Sequence, residues 1–328
     1  MASEEKFQTM IGGQALIEGI MMRGPEKDAI VVRGKEGIQV EVKPRKQRPK
    51  KSPLKWPVIR GAVSFFDSQV TGVKALMRSV DLSPEEIQEA ETSKLDQWLE
   101  KKLGEKKFQN VVVGVAVALG LGMSVALFFL LPMLIGSFFD RWIKNTLVLN
   151  LIEGFVRMVI FLVYMLMVSR MQDMKRVFAY HGAEHKTIRC YEAGLELTVE
   201  NVRKQTRLHP RCGTSFLLVV MLLSILLFSA ASSLLLTLIP GLAAMHGTFL
   251  YKLIMILFKL LLLPLVVSVS YEINRWVGRH NNWLTRILTA PGLWFQNFTT
   301  NEPDDSMIEV GIQALQAVLP EEAGADRW

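Results

Sequence analysis

The stretch that decides the fold is residues 110–138, NVVVGVAVALGLGMSVALFFLLPMLIGSF, which contains no charged side chain. An α-helix needs about 20 apolar residues to cross the hydrocarbon core of a bilayer, and this run is longer. Three further runs meet the same requirement, at 147–169, 215–238 and 248–271. Since 50% of the 328 residues are hydrophobic, the sequence predicts a mainly α-helical polytopic membrane protein with four transmembrane helices, not a soluble enzyme.

The distribution of lysine and arginine predicts the orientation of these helices. Residues 1–109 carry twenty of them, 170–214 carry nine and the tail after 271 carries four. The short connections 139–146 and 240–247 carry two and none. Because positive loops stay on the cytoplasmic side, both termini and the middle loop are expected there. The net charge of +7 then indicates contact with anionic lipids, and no sequence-specific nucleic-acid partner is expected.

The polar N-terminal region, residues 1–109, predicts a small cytoplasmic α+β domain. DAIVVRG and IQVEV flank KEG, which is typical of a β-hairpin with glycine at the turn, and GGQALIEGIMMRGP is expected to add a strand. A basic, proline-rich connector at 43–57 is either a solvated linker or a contact for lipid headgroups. An amphipathic helix follows from Val58, and Ser83 with Pro84 predicts the start of another.

The rest of the chain divides into a membrane domain and a tail. Residues 110–273 are the predicted four-helix transmembrane domain, with the cytoplasmic loop 170–214 inside it. Residues 274–328 predict cytoplasmic interfacial and amphipathic helices. The last of these begins at an Asp304 or Ser306 cap and is expected to pack on the N-terminal domain.

The middle loop begins with a candidate metal motif, HGAEHK at residues 181–186. On a helix, His181 and His185 share one face and can grip a single ion. With Glu184 they form His-x-x-Glu-His, the reversed zincin pattern, in which the carboxylate serves as general base. The alternative is a polar patch where a helix meets water and headgroups.

The same loop ends with HPRC, which places His209 and Cys212 three apart. Imidazole nitrogen and thiolate sulfur are both zinc ligands, so the loop predicts a divalent metal site, with Zn²⁺ the first expectation. The alternative is that His209 caps a helix and Cys212 is a small buried residue. Both thiols are expected to be free on the reducing cytoplasmic side. Three further side chains are candidate ligands or partners of the site: Glu272, Glu18 and Cys190.

Charged residues inside the second apolar run form a separate feature. Glu153 and Arg157 are four apart, which predicts an intrahelical ion pair, since charges inside a bilayer must be paired or wetted. Lys259 of the fourth run is deep enough to join them. A polar pathway across the membrane is the alternative.

Four long blocks resemble the bacterial DUF1385 (YqhQ-like) family over about residues 10 to 318: GGQALIEGIMMRGP, FAYHGAEHKTIRCYEAG, LTVENVRKQTRLHPRCGTSF and PGLWFQNFTTNEPDDSMIEVGIQAL. The resemblance implies a multi-pass protein of the bacterial inner membrane and a predicted metal-dependent enzyme. It implies no substrate. The family motif falls on Glu18, His181, Glu184, His185, His209 and Cys212.

The sequence is therefore compatible with three functions. The first is a zinc-dependent hydrolase acting on an amide or ester at the cytoplasmic membrane face. The second is an assembly factor or scaffold with a structural metal and a membrane-protein or ribosomal partner, and the third is a transporter. Three protein ligands plus water indicate the enzyme, and four indicate a structural site. The sequence leaves the oligomeric state open.

Overall fold

The computed structural model describes residues 6–45, 52–84, 104–139, 142–143, 145–245, 247–280, 282–322 and 324–327. The chain divides into two compact units, called here the sheet unit and the helical unit. The sheet unit combines Met1–Gln88, Met165–Leu222 and Pro264–Trp328. The helical unit combines Glu89–Tyr164 and Leu223–Leu263. Most of the N-terminal region, the whole middle loop and the tail thus belong to one body.

The sheet unit is built on four antiparallel strands in the order β1-β2-β3-β4. They are β1 Gly12–Leu16, β2 Gly19–Arg23, β3 Lys27–Gly34 and β4 Gly37–Pro44. The predicted β3–β4 hairpin is confirmed, and Gly37 at its turn has φ of +121°, which favours glycine. GGQALIEGIMMRGP adds two strands, not one, because Ile17 and Glu18 close a tight turn.

Helices cover both faces of this sheet, which explains the uninterrupted apolar runs of β2 and β3. One face, with Ile20, Met22, Ala29 and Val31, packs on α5 (Gln172–Glu192) and α11 (Asp305–Val318). The opposite face, with Met21, Ile30 and Val32, packs on α1 (Ile59–Leu82). The predicted amphipathic helices after Val58 and Asp304 are confirmed, including the packing of α11 on the N-terminal strands.

Four described helical spans are long and apolar enough to cross a membrane, as predicted. Val111–Phe138 comprises α2 (Glu105–Val125), a π-helical turn (Ala126–Leu130) and α3 (Leu131–Phe138). The others are α4 (Thr146–Val168), α7 (Gly213–Leu238) and α9 (Phe249–Arg279). Helix α9 ends at Arg279, beyond the predicted end at 271. The residues after 271 are more polar, so hydropathy falls there, but they continue the helix.

Short helices complete the chain: α6 (Val199–Arg203), α8 (Pro240–Ala244) and α10 (Trp283–Thr299). Helix α10 begins with a capping box between Asn282 and Thr285. Helix α11 begins at Asp304, whose side chain accepts a hydrogen bond from the Met307 amide, as predicted. The helix predicted from Ser83 falls on residues 85–103, outside the described part of the chain.

Candidate metal centre

Helix α5 positions both histidines of the HGAEHK motif in the sheet unit. The two rings project from one helical face, with centroids 4.3 Å apart. Small residues let neighbours approach closely: a Cβ at Gly182 would overlap the Asn301 carbonyl oxygen. Helix α5 ends at Glu192, and Gly194, with φ of +62°, follows the last turn in the left-handed conformation that caps many helices. The motif is therefore a buried helix interior, not a polar helix start.

Cys212 reaches the same face from the residue before α7. Its sulfur lies 3.2 Å from His181 Nε2. One ligand atom from each of His181, His185 and Cys212 lies within 4.8 Å of the other two, and all three residues are buried in the potential site. Gln296 of α10 holds the preceding segment, since its side chain bonds both the amide and the carbonyl of His209 at 2.8 Å and 2.7 Å. The structure thus joins the two ends of the middle loop.

Backbone carbonyls fix the tautomer of both histidines. His181 Nδ1 lies 2.7 Å from Thr299 O, and His185 Nδ1 lies 2.6 Å from Arg207 O. A carbonyl oxygen can only accept, so each Nδ1 carries the proton and each neutral ring has its lone pair on Nε2. The Nε2 atom of His185 is buried without a hydrogen-bond partner. This is the orientation that metal-binding histidines adopt in proteins.

Glu184 lies beside the triad with one oxygen engaged. Its Oε1 accepts a hydrogen bond from the Gly13 amide at 2.9 Å, while Oε2 is buried without a partner. A Cβ at Gly13 would lie 2.9 Å from the Glu184 carboxyl carbon and 2.6 Å from Met21 O, so only glycine fits there. Burial raises the pKa of Glu184, against the opposing charges of His181 and His185.

Cys212 and His181 of the triad shift each other's pKa values in opposite directions. Burial alone would raise the pKa of Cys212, but the charges of His185 and His181 outweigh it and place that pKa well below its usual range. Burial alone would lower the pKa of His181, but the Cys212 thiolate outweighs it and raises that pKa to about 9. A divalent cation bound by the Cys212 thiolate would take the place of the His181 proton and leave the triad with one more positive charge.

The donor set fits a transition metal. Two imidazole nitrogens and one thiolate suit zinc, whereas calcium and magnesium require oxygen ligands. The unpartnered Nε2 of His185 is what such an ion would satisfy. Three protein donors would leave one of zinc's four usual positions for water or substrate, and Glu184 is electrostatically coupled to all three donors.

His209, predicted as a further ligand, does not enter this triad of the described residues. Its ring centroid is 5.6 Å from that of His185, and its Nε2 lies 3.1 Å from Glu192 Oε2. The same carboxylate oxygen accepts from Arg211 at 2.6 Å. Burial, with the charge of Arg211, lowers the pKa of His209 well below its usual value, so the ring is neutral.

The three further candidates also lie elsewhere in the sheet unit. Glu272 is paired with Arg60, whose Nε lies 2.6 Å from Glu272 Oε1. Cys190 is fully buried among apolar side chains, and burial raises its pKa to about 11. Both thiols are free, as predicted, though no described contact brings Cys190 to the triad.

Glu18 occupies a distinct position in the β1–β2 turn. Its φ of +52° is unusual for a residue with a Cβ, and its carboxylate is buried. The two oxygens accept from Arg176 of α5, with Nη2 at 2.5 Å, and from the Tyr180 hydroxyl at 3.2 Å. Glu18 therefore fixes the strand turn to the helix that carries the triad.

The predicted intramembrane ion pair is present in the helical unit. Arg157 Nη2 donates to Glu153 Oε1 at 2.9 Å, and Lys259 joins the pair as the sequence indicated.

Sequence reasoning missed Glu192 and Gln296, which anchor His209. Glu192 lies seven residues after His185 on α5, so the two share a helical face, and this spacing could have identified it. Gln296 carried no local signal, because its contacts depend on where α10 packs. No sequence pattern indicates that the carbonyls of Thr299 and Arg207 contact the two histidines.

Comparison with known proteins places this chain in a family. The model of a family described as "Protein of unknown function (DUF1385)" matches residues 56–321. The chain is 31% identical over 332 residues to "Uncharacterized protein YqhQ" of Bacillus subtilis (strain 168), covering 98% of this chain and 96% of that protein. No solved structure matches. Since the match takes in the whole α5 motif, Cys212 and the α11 tail, the chain belongs to the DUF1385 family.

Proposed function

We propose that the chain is a membrane-embedded, zinc-dependent hydrolase whose metal is held by His181, His185 and Cys212. The observation that carries the proposal is a pair of buried polar atoms without partners, His185 Nε2 and Glu184 Oε2. Leaving such atoms unsatisfied costs about 1–3 kcal/mol each. A cation beside His185 and an ordered water beside Glu184 would satisfy both at once.

The chain's own groups are arranged for proton transfer next to this site. A zinc ion with three protein ligands supplies Lewis-acid activation of water and of a substrate carbonyl. Glu184 is oriented by the Gly13 amide at 2.9 Å, which leaves Oε2 to take the proton of the attacking water. The same oxygen can return that proton to a leaving amine or alcohol. The reaction class is hydrolysis of an amide or ester.

The surroundings of the site support a substrate at the membrane surface. In the same unit, α10 exposes Trp283, Ile287 and Trp294 by 73%, 60% and 54%. Exposed tryptophans on an amphipathic helix are typical of membrane interfaces. With the lysine and arginine distribution, this supports a site at the cytoplasmic face of the bacterial inner membrane, in contact with anionic lipids.

The alternative of a structural metal in an assembly factor or scaffold requires a fourth protein ligand. His209 is the nearest candidate, but its Nε2 is bonded to Glu192. A membrane-protein or ribosomal partner belongs to that alternative. The third function, a transporter, would use the charges of the helical unit and makes no use of the triad.

A second candidate function follows from the 3.2 Å contact between Cys212 Sγ and His181 Nε2. This is also the geometry of a thiol nucleophile with its histidine base. In that case the Cys212 thiolate attacks the carbonyl, the amine or alcohol leaves with the proton held by His181, and water hydrolyses the resulting thioester, so no metal is needed. The zinc mechanism requires the metal and the thiol mechanism does not, so removal of the metal distinguishes the two.

Metal analysis of the detergent-purified full chain tests the site. Wild type is expected to hold about one zinc per chain, and His185→Ala and Cys212→Ser are expected to lose it. His280 is exposed and its Nδ1 lies 2.8 Å from Trp276 O at the end of α9, so His280→Ala is the matched control and is expected to keep the metal. Zinc retained in both triad variants, or absent from wild type after reconstitution, would rule out the site.

Activity against a panel of chromogenic esters and amides tests the chemistry. Glu184→Gln is expected to keep zinc and lose about 10²–10⁴-fold in rate, as for removal of a general base. Hydrolysis that survives complete chelation but stops when Cys212 is alkylated would favour the thiol mechanism. Full activity in Glu184→Gln would remove that residue from the reaction.

A further inference from the structure

A buried cluster of charged side chains in the helical unit carries a net positive charge. Glu153 Oε1 accepts from Arg157 at 2.9 Å and from Lys259 Nζ at 2.6 Å, and Oε2 accepts from Lys259 at 2.7 Å. Glu153 and Arg157 are each 7% exposed and Lys259 is 3% exposed. Two cations therefore share one carboxylate in segments apolar enough to span a membrane.

The excess positive charge has only weak compensation among the described residues. Arg157 lies over the rings of Phe129 and Phe228, 5.1 Å and 5.5 Å from their centroids, and donates to Phe128 O at 2.7 Å. Rings and carbonyls stabilise a cation but add no negative charge. A net charge inside a bilayer is costly unless it is paired or wetted.

A cavity of about 50 Å³ adjoins this cluster. A single water needs about 10–15 Å³, so the cavity has room for a small oxyanion or a few waters. Polar groups on its wall include Glu153, Lys259, Lys252 and Asn150. The Asn150 Nδ2 donor is buried without a hydrogen-bond partner. No described carboxylate pairs with Lys252.

The cavity runs inward from the helix ends. Lys252 lies three residues after the start of α9 at Phe249 and Lys259 lies ten residues after it. At a rise of about 1.5 Å per residue, they lie about 5 Å and 15 Å along the axis. A ligand that enters at Lys252 can thus reach the buried charges of Lys259.

We propose that this cavity binds a phosphate-type oxyanion, supplied by an anionic lipid headgroup or by free phosphate. Lys252 and Lys259 provide the positive charge, and Asn150 Nδ2 provides an unused donor. Glu153 also faces the cavity, but both its oxygens are engaged by cations, so its repulsion is offset. This site is independent of the metal centre.

The full chain in detergent tests the proposal with two probes. Native mass spectrometry measures retention of phosphatidylglycerol against diacylglycerol with the same acyl chains. Thermal melting measures stabilisation by inorganic phosphate. The variants are Lys252→Gln, which leaves the cluster intact, and Lys259→Met, which leaves the neutral Glu153–Arg157 pair. Lys175→Gln, at an exposed lysine outside the cavity, is the charge-matched control.

Phosphatidylglycerol is expected to bind wild type and Lys175→Gln equally and Lys252→Gln about tenfold more weakly. Binding to Lys259→Met is expected to be lost. If inorganic phosphate raised the melting temperature with this dependence on the variants and phosphatidylglycerol did not bind, the ligand would be a free anion. Diacylglycerol binding as strong as phosphatidylglycerol binding would overturn the proposal. So would undiminished binding of both phosphate probes in Lys252→Gln and Lys259→Met, or binding of neither probe to wild type.

Discussion

Substituting Gly182 by alanine perturbs the metal centre without touching a ligand. Gly182 follows His181 on α5, and a Cβ there would lie well under 3.0 Å from Asn301 O and 3.3 Å from the Pro303 ring. The obstacle is backbone, because the Asn301 amide is itself held by Phe178 O at 2.8 Å. The segment after α10 must therefore move away from α5.

Two costs follow from this movement. Overpacking against backbone costs about 1–3 kcal/mol of stability. Thr299 O, which orients His181 through Nδ1 at 2.7 Å, lies only two residues before Asn301 at the end of α10 and is expected to shift with it. Loss of such an outer contact lowers metal affinity by about 10–100-fold. Gly182→Ala is therefore expected to be both less stable and weaker in zinc binding.

The assay is thermal melting of the detergent-purified chain, with zinc affinity from competition against a fluorescent chelator. Gly120→Ala is the matched control, since Gly120 is also helical but a Cβ added there would meet nothing within 4 Å. We expect its melting temperature and zinc affinity to match wild type. A Gly182→Ala protein that melts and binds zinc like wild type would refute the packing of α5 described above.

Three other predictions concern residues of the sheet unit outside the triad. Glu192→Ala removes the buried carboxylate that Arg211 and His209 share, so it is expected to cost about 3–5 kcal/mol in unfolding experiments. The folded variant is expected to retain its zinc, because the proposed site does not use His209. Asp304→Ala is expected to cost about 1 kcal/mol as a lost helix cap, whereas Asp304→Asn retains most of it. Burial would raise the pKa of Asp304, but hydrogen bonds from Ser306 and Met307 outweigh it and hold that pKa below 3.8. The stability that this carboxylate adds is therefore present above pH 3.8 and is lost as the pH falls through its lowered pKa. Acid melting of wild type beside Asp304→Asn would detect this loss. Cys190, whose pKa burial raises to about 11, is expected to resist iodoacetamide in the folded protein, as peptide mass mapping can check.

The membrane architecture was predictable because its signals are local. Length and uninterrupted hydrophobicity define the four spans, which agree closely with the structure at seven of their eight ends. The β3–β4 hairpin followed from glycine at its turn, and α11 from its cap and apolar stripe. The end of α9 was misjudged because hydropathy falls at 272–279 while helical hydrogen bonding continues.

The candidate site was predictable only in part. The spacing of His181 and His185 defines a shared helical face, and Cys212 followed as a nearby thiol in the same loop. What separates Cys212 from His209 is tertiary. The Glu192 carboxylate binds the His209 ring, and the spacing that places Glu192 on the face of His185 does not indicate which of the two residues it contacts. Glu272 illustrates the same limit. Its predicted depth in the membrane matched that of the histidines, but its carboxylate pairs with Arg60 of α1 instead.

The most direct test of the central claim is the zinc-edge X-ray absorption spectrum of the purified full chain, recorded beside Cys212→Ser. The proposed site predicts two imidazole nitrogens at about 2.0 Å, one sulfur at about 2.3 Å and one light-atom ligand from water. The sulfur contribution should vanish in any zinc that Cys212→Ser retains. A wild-type spectrum with three imidazoles and one sulfur would make His209 a ligand and the site structural. A spectrum without sulfur would contradict the triad itself.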